Sequence, residues 1–284
     1  MKNRSVGYRG SKIKGWLTTP LKGVTFFDRF LARTALCLLS LLARVREPKG
    51  LDYENDPLVF IMNHSNYSET LFLAAFLLIK RRGRPVSFLV DWMFGEFPVA
   101  RGVLRRLGSI FVYNKRARWK FVDRKKPVPP PYRAWEECVR VLRRGGSVAI
   151  FPEGRTNPDP KVLLKARRGL GRVLKETGAM VIPIGIRYVK QRQGKVPKLG
   201  RMTLGVGEPF FPSSPDEGSI KAQCDREDTD SCPADLLGHR CMEVLAGLCG
   251  KEYPHSPEAS VTQSYPNRED GNEELIQDTG GQGP

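Results

Sequence analysis

The sequence lacks the short motifs that mark several large enzyme classes. It contains no GxSxG nucleophile elbow, no GxxxxGK[ST] phosphate loop, no GxGxxG turn and no HExxH pair. These absences count against serine hydrolases, P-loop enzymes, dinucleotide oxidoreductases and zincin proteases. Any catalytic chemistry must therefore come from polar residues in another arrangement.

Cysteine pairs and long hydrophobic runs are also missing. The six cysteines form no CxxC pair, which predicts no metal centre and favours reduced thiols in a cytosol-facing protein. The longest charge-free apolar runs are Thr34–Ala43 and Thr70–Ile79, well short of the ~18 to 20 residues that span a bilayer. The first ten residues have no continuous apolar core of the kind that signal peptides need. We therefore expect neither a simple transmembrane protein nor a secreted one.

Charge divides the chain into a basic body and an acidic tail. Residues 1–211 carry 42 Lys and Arg against 15 Asp and Glu, whereas residues 212–284 carry 5 against 15. A basic body attracts nucleic acid, anionic lipid headgroups or phosphorylated metabolites. The tail is rich in Ser, Pro, Asp and Glu, which predicts disorder apart from one possible helix over Ala234–Cys249.

The N-terminal region predicts an amphipathic helix from Val24 to Arg46. Phenylalanines and leucines alternate there with Arg29, Arg33, Arg44 and Arg46. This mixture suits a helix at a membrane surface, with apolar side chains toward the acyl chains and arginines at the phosphates. A helix packed on the domain's own core is the alternative. The predicted organisation is therefore a membrane-associating region over 1–50, a central domain over 51–211 and a tail over 212–284.

Strand-like and helix-like segments alternate through the central region. This alternation predicts an α/β fold, a mostly parallel sheet flanked by helices, with ligands bound at the strand ends. The predicted strands are Leu58–Met62, Val86–Val90, Ser109–Tyr113, Ser147–Phe151, Met180–Ile186 and Met202–Val206. The predicted helices are Leu71–Arg81, Val99–Leu107, Pro131–Arg144 and Lys165–Thr177, with Gly145 and Gly178 ending the last two.

The stretch NHSNYSE, residues 63–69, follows the first central strand. An imidazole is the usual general base near neutral pH, and a carboxylate that bonds its second nitrogen fixes the tautomer. Five positions separate His64 from Glu69, so pairing requires His64 in the loop and Glu69 in the first helical turn. The spacing alone arises easily by chance, and an ordinary surface histidine is the alternative.

The stretch FPEGRTN, residues 151–157, follows another predicted strand. A carboxylate and a guanidinium flanking a glycine at a strand end can bind a polyol phosphate. In that interpretation Glu153 accepts hydroxyl protons and Arg155 contacts phosphate oxygens. The alternative is a plain turn punctuated by Pro and Gly.

Four blocks in this order resemble the glycerolipid acyltransferase family typified by lysophosphatidic acid acyltransferase. They are NHSNYSE, GSIFVYNKR, FPEGRTN and VIPIGI, within roughly residues 55–210, and GVGEPF follows them. The resemblance implies transfer of a fatty acyl group from acyl-CoA or acyl carrier protein to a lysophospholipid hydroxyl, with 1-acylglycerol-3-phosphate as acceptor and phosphatidic acid as product. The thioester is a co-substrate, and no other cofactor or metal is implied.

The resemblance also implies a role for each matched residue. His64 would deprotonate the acceptor hydroxyl and Glu69 would orient His64, with no acyl-enzyme intermediate. Substrate contacts would come from Lys115, Arg116, Glu153, Gly154 and Arg155, and Pro183 would serve donor binding or packing. The implied partners are a membrane surface with anionic lipid, the lysophospholipid acceptor and the acyl-CoA donor, with the active site facing the cytoplasm.

The chain departs from the family pattern at three places. Glu69 stands where the family mostly has Asp, Tyr113 and Asn114 stand where Asp and Arg are usual, and Arg155 and Thr156 exchange the usual order. Two alternatives share the motifs: an acyltransferase for another lysolipid acceptor, and an inactive relative that only binds lipid. A nucleic-acid-binding protein is a third alternative. It is not favoured, because the aromatic residues do not interleave with the basic ones as a stacking platform requires.

Overall fold

The computed structural model describes the chain with gaps, and the central region is described most fully. The described residues are 20–21, 23, 25–26, 29–30, 33–34, 37, 43–48, 51, 53–66, 69–113, 116–117, 120–188, 202–212 and 232–255.

A seven-stranded sheet forms the centre of the molecule. Its strands are β1 Ala43–Arg46, β2 Leu58–Met62, β3 Ser87–Asp91, β4 Ile110–Val112, β5 Val148–Ile150, β6 Met180–Tyr188 and β7 Met202–Val206. They lie in the order β1-β7-β6-β2-β5-β3-β4. Every neighbouring pair is parallel except β6 and β7, which are antiparallel. The prediction of a mostly parallel sheet flanked by helices is confirmed.

Helices connect most of the strands. They are α1 Glu69–Lys80, α2 Pro98–Arg106, α3 Lys120–Asp123, α4 Ala134–Arg143, α5 Arg168–Thr177 and α6 Cys232–Cys249, and a short 3-10 helix spans Trp92–Glu96. Gly145 and Gly178 follow α4 and α5 with φ of +78° and +58°. Glycine adopts these angles without strain, so α5 ends at the predicted Thr177, and α4 ends one residue before the predicted Arg144.

Both faces of the sheet are buried, as the sequence of β2 shows. Leu58, Phe60 and Met62 face one core, and Val59 and Ile61 face the other. The first core is completed mainly by α1, and the second by α4, α5 and α6. A strand covered on both faces reads as a continuous apolar run rather than an alternating one, which is the pattern of LVFIM.

The N-terminal helix prediction is wrong at its C-terminal end. Phe26, Arg29, Phe30, Arg33, Thr34 and Cys37 are helical. Residues Ala43–Arg46 instead form β1, which pairs in parallel with β7 from Ala43↔Met202 to Arg46↔Gly205. Backbone hydrogen bonds to β7 therefore override the helix-like pattern of ARVR.

The helix predicted within the tail exists and packs on the sheet domain. Leu237, Cys241, Met242 and Leu245 of α6 lie in the core beneath α5. A Cβ on Gly171 of α5 would lie 1.6 Å from the Ala234 carbonyl oxygen, so the two helices cross at backbone contact. The folded unit therefore continues beyond residue 211. The predicted disorder over 213–231 and 256–284, and the N-terminal prediction over 1–19, fall outside the described residues.

No helix within the described parts of the chain is both long and apolar enough to cross a membrane.

Candidate active site

Two loops meet at the carboxyl ends of β2 and β5. These strands are parallel neighbours, so the loop after each one emerges at the same edge of the sheet. The Asn157 amide donates to the His64 carbonyl oxygen at 2.6 Å, which joins the two loops directly. The stretches NHSNYSE and FPEGRTN, separated by about ninety residues of sequence, therefore form one site.

The structure pairs His64 with Glu69. His64 Nδ1 lies 3.2 Å from Glu69 Oε2, and the same oxygen accepts the Ser65 amide at 2.9 Å. His64 lies in the loop and Glu69 begins α1, which is the geometry that a separation of five positions requires. With Nδ1–H donated to the carboxylate, the lone pair lies on Nε2, so the ring is arranged as a general base. The Phe151 ring packs 4.3 Å from the imidazole, centroid to centroid.

The second oxygen of Glu69 is held by a residue that the motifs do not include. Tyr188, at the end of β6, donates its hydroxyl to Glu69 Oε1 at 2.8 Å. Burial, together with the charge and hydrogen bond of Glu69, raises the pKa of Tyr188 well above its ordinary value. The phenol therefore stays protonated and remains a donor. The Glu69 side chain, 1% exposed, thus has partners on both oxygens.

Glu153 was predicted to contact substrate, but the structure buries it and bonds its carboxylate within the protein. Its residue is 1% exposed and does not line the cavity described below. Oε1 accepts the His64 amide at 3.1 Å, and Oε2 accepts Asn157 Nδ2 at 2.7 Å and the Leu164 amide at 3.0 Å. Burial raises the pKa of Glu153, against the effect of these hydrogen bonds and of the Lys251 charge. Glu153 therefore positions the backbone of His64.

Two further residues, Asn63 and Lys251, stabilise the loop that carries His64. Asn63 exchanges a pair of hydrogen bonds with the Ile186 backbone, 2.9 Å from its amide nitrogen and 2.6 Å to its oxygen. Lys251, buried just after α6, donates to the Asp159 carbonyl at 2.7 Å and reaches Ser65 Oγ at 3.5 Å. The loop is thus anchored to β6 on one side and to the C-terminal part of the fold on the other.

A cavity of 1430 Å³ opens beside His64. One part of its wall is apolar and comes from α1, β3, the 3-10 helix, α2 and β4, with Ala74, Phe88, Val90, Phe94, Phe97, Leu104 and Leu107. Another part comes from the FPEGRTN loop and from α4 and α5. The imidazole therefore borders a space large enough for a small ligand with a long apolar group.

Four arginines line the second part of the cavity: Arg133, Arg155, Arg167 and Arg172. Gly154 also lines it, with φ of +65°, and a Cβ there would lie 2.8 Å from Arg167 Cγ. Glycine therefore permits both the turn and the passage of the Arg167 side chain across it. The structure places Gly154 and Arg155, which were predicted to contact substrate, on the cavity wall, together with Arg167, which was not anticipated.

Of the remaining predicted contacts, Arg116 and Pro183 do not join this group. Arg116 is exposed and does not line the cavity, and Lys115 lies outside the described residues. Pro183 is buried in β6 opposite Ile61, and its Cγ would lie 2.8 Å from a Cβ on Gly207. Of the two roles left open for Pro183, this contact supports packing.

The residues that sequence analysis missed contact the site from distant parts of the chain. Tyr188 lies 119 positions from Glu69, and Lys251 lies 186 positions from Ser65. A signal for Tyr188 was present, because it continues the alternation Ile182, Ile184, Ile186 toward the same core. Nothing in the local sequence marks Lys251. Within the described residues, no group of three or more His, Cys, Asp or Glu side chains could hold a metal ion.

Comparison with known proteins identifies a family that this chain matches. A family model described as Acyltransferase matches residues 43–187, more than half of the chain. The chain is also similar to the crystal structure of the 1-acyl-sn-glycerophosphate (LPA) acyltransferase PlsC from Thermotoga maritima. That similarity has 16% sequence identity and a TM-score of 0.47, covering 90% of this chain and 81% of the other. No curated protein sequence matches the chain.

Proposed function

The chain belongs to the acyltransferase family, and on that premise we propose that it acylates the free hydroxyl of a lysophospholipid. The proposed acceptor is 1-acylglycerol-3-phosphate, the donor is acyl-CoA or acyl carrier protein, and the product is phosphatidic acid. The observation that carries the proposal is the His64–Glu69 pair, with Nδ1 3.2 Å from Oε2, at the edge of a cavity lined by apolar side chains and arginines.

The proposed reaction is a direct transfer. His64 Nε2 takes the proton of the acceptor hydroxyl as its oxygen attacks the thioester carbonyl carbon. The carbon–sulfur bond then breaks, the new ester is released, and the thiol leaves with the proton that His64 returns. Glu69 stabilises the imidazolium through Nδ1. These steps need no cofactor or metal beyond the thioester co-substrate.

The cavity wall supports the proposed substrate class. An acyl chain fits against apolar side chains such as Phe94 and Leu104, because burial there removes hydrocarbon from water. Arg155 and Arg167, both exposed, offer guanidinium groups suited to phosphate oxygens. An acyl chain and a phosphate on one acceptor would occupy these two parts of the wall together.

Two other functions share the motifs. Another lysolipid acceptor is the nearer alternative, because Arg155 is one position away from the usual family site for arginine. An inactive lipid-binding relative is the other. The contact between His64 and Glu69 favours an active enzyme, since the longer Glu69 side chain still reaches the imidazole.

We propose further that the N-terminal segment binds a membrane surface containing anionic lipid. Phe26 and Phe30 are 84% and 62% exposed and lie four residues apart in a helical segment, so they share a face. Apolar rings on an exposed face next to Arg29 and Arg33 suit the boundary between acyl chains and phosphates. Free thiols at Cys138, Cys241 and Cys249 are consistent with a site facing the cytoplasm.

A panel of acceptors tests the proposed function. Purified protein with detergent or vesicles is given one acyl-CoA and, separately, lysophosphatidic acid, lysophosphatidylcholine or lysocardiolipin. The highest rate is expected with lysophosphatidic acid. A higher rate with another lysolipid would transfer the proposal to that acceptor. Binding to vesicles without transfer to any acceptor, from acyl-CoA or acyl carrier protein, would establish the inactive relative instead.

A further inference from the structure

The side chain of Glu69 has one more rotatable bond than the aspartate that the resembling family mostly has. Each added bond increases the number of rotamers that the carboxylate can adopt, and only one of them meets His64 Nδ1. The structure supplies two restraints: the Ser65 amide on Oε2 at 2.9 Å and the Tyr188 hydroxyl on Oε1 at 2.8 Å. The Ser65 donor is a main-chain amide, which a side-chain substitution does not remove. Of these two restraints, a substitution can therefore remove only the Tyr188 hydroxyl.

The fold places Tyr188 for this contact. Ile182, Ile184, Ile186 and Tyr188 alternate along β6 and face the core on which α1 packs, whereas Arg187 points outward and is exposed. Glu69 opens α1, so its carboxylate lies over the end of β6. The tyrosine is 7% exposed and the glutamate 1%, so water does not readily replace the hydroxyl.

We propose that Tyr188 is a positioning residue for acyl transfer, which holds the Glu69 carboxylate in the rotamer that orients His64. The kinetic part of this inference rests on the proposed function. The hydroxyl acts on Glu69 and touches no reacting atom. Because its pKa is raised by burial and by the neighbouring charge, it remains a donor across the pH range in which the enzyme would work.

The chain contains a matched control for the loss of this hydroxyl. Tyr53 is 4% exposed, belongs to the same core, and donates its hydroxyl to Glu47 Oε2 at 3.0 Å. Tyr53→Phe therefore removes a buried hydroxyl bonded to a glutamate, away from the cavity wall. Comparing Tyr188→Phe with Tyr53→Phe separates positioning of the catalytic pair from a general loss of stability.

Kinetics give the first test. Tyr188→Phe is expected to lower kcat about tenfold and to leave KM within about twofold, because the acceptor contacts are unchanged. Tyr53→Phe is expected to leave both within about twofold. In a Glu69→Asp background the shorter side chain loses the Tyr188 contact. Adding Tyr188→Phe should then lower kcat by less than about threefold. The inference would be overturned if Tyr188→Phe lowered kcat equally in the wild-type and Glu69→Asp backgrounds. It would also be overturned if Tyr188→Phe and Tyr53→Phe lowered kcat equally.

A second readout does not depend on turnover. The chain has 3 histidines, so ¹⁵N-histidine NMR spectra can be assigned with a His64→Ala variant. We expect the Nδ1–H tautomer of His64 in the wild type and in Tyr53→Phe, and a mixture of tautomers in Tyr188→Phe. An unchanged tautomer in Tyr188→Phe would refute positioning. If the wild type transferred no acyl group, the proposed function would fail while this spectrum still decided the role of Tyr188.

Discussion

Two buried glutamates follow two neighbouring parallel strands, and they hold the same histidine in different ways. Glu69, after β2, contacts the imidazole of His64, whereas Glu153, after β5, contacts its main-chain amide. Both are 1% exposed. Glu69 is therefore placed to affect proton transfer at the imidazole, whereas Glu153 fixes the position of the His64 backbone.

The hydrogen-bond partners of the two carboxylates explain this difference. Glu69 contacts one imidazole ring, one backbone amide and one phenol, so in the proposed transfer its charge would stabilise the imidazolium. Glu153 has two amides and the Asn157 side chain, which are all fixed parts of the two loops. A substitution at Glu69 should therefore act mainly on turnover, and a substitution at Glu153 mainly on stability.

The largest expected effect is that of Glu69→Gln. An amide cannot stabilise the imidazolium as a carboxylate does, so kcat should fall by about 100-fold or more. The free energy of unfolding should change little, because glutamine has the same shape as glutamate. Steady-state kinetics and urea unfolding measure the two quantities.

Two companion variants sharpen that result. Glu69→Asp keeps the charge and should retain activity. Glu176→Gln makes the same change at a half-exposed residue paired with Arg143, and should leave kcat unchanged. If Glu69→Gln turned over as fast as Glu176→Gln, the imidazole would not depend on this carboxylate.

The next effect is that of Glu153→Ala on stability. Two buried donors and one partly buried donor would lose their acceptor, so the free energy of unfolding should fall by about 3 kcal/mol. Urea unfolding followed by circular dichroism measures this loss. A stable Glu153→Ala variant with impaired acceptor binding would instead restore the predicted substrate contact.

Arg155→Gln should have a smaller effect, confined to the acceptor. Loss of one guanidinium from the cavity wall should raise KM for lysophosphatidic acid about tenfold and leave kcat nearly unchanged. Arg144→Gln, at an exposed arginine away from the cavity, is the matched control. Equal KM values for the two variants would remove Arg155 from the acceptor site.

The smallest effect is a pH dependence of stability. The pKa of Glu153 is raised above its ordinary value of 4.5 by burial, so the folded state favours the protonated acid. Its contribution to stability should be fully present below pH 4.5 and should be lost as pH rises through the raised pKa. The difference in unfolding free energy between wild type and Glu153→Gln should therefore decrease over that range. An increase with pH would mean that the folded state favours the carboxylate.

Local pattern predicted most of the sheet and the contact between His64 and Glu69, but it could not predict contacts that depend on register. β2 and β7 were predicted with their observed ends because continuous or alternating apolar runs mark them. The strand state of Ala43–Arg46 was missed, since only pairing with β7 distinguishes it from the end of a helix. Glu153 was assigned to substrate because the sequence around it does not show that it is buried. Its hydrogen-bond donors come from residues 64 and 164, which only the folded chain brings to it. Tyr188 is brought to the site by the pairing of β6 in the sheet, and Lys251 is brought there by the packing of α6.

The rate of acyl transfer by His64→Ala is the most direct test of the central claim. With lysophosphatidic acid and acyl-CoA, this variant should lose turnover by about 1,000-fold or more, because no general base remains beside the acceptor hydroxyl. His255→Ala, at an exposed histidine that does not line the cavity, should retain the wild-type rate. A folded His64→Ala enzyme with full turnover would contradict the assignment of His64 as the base.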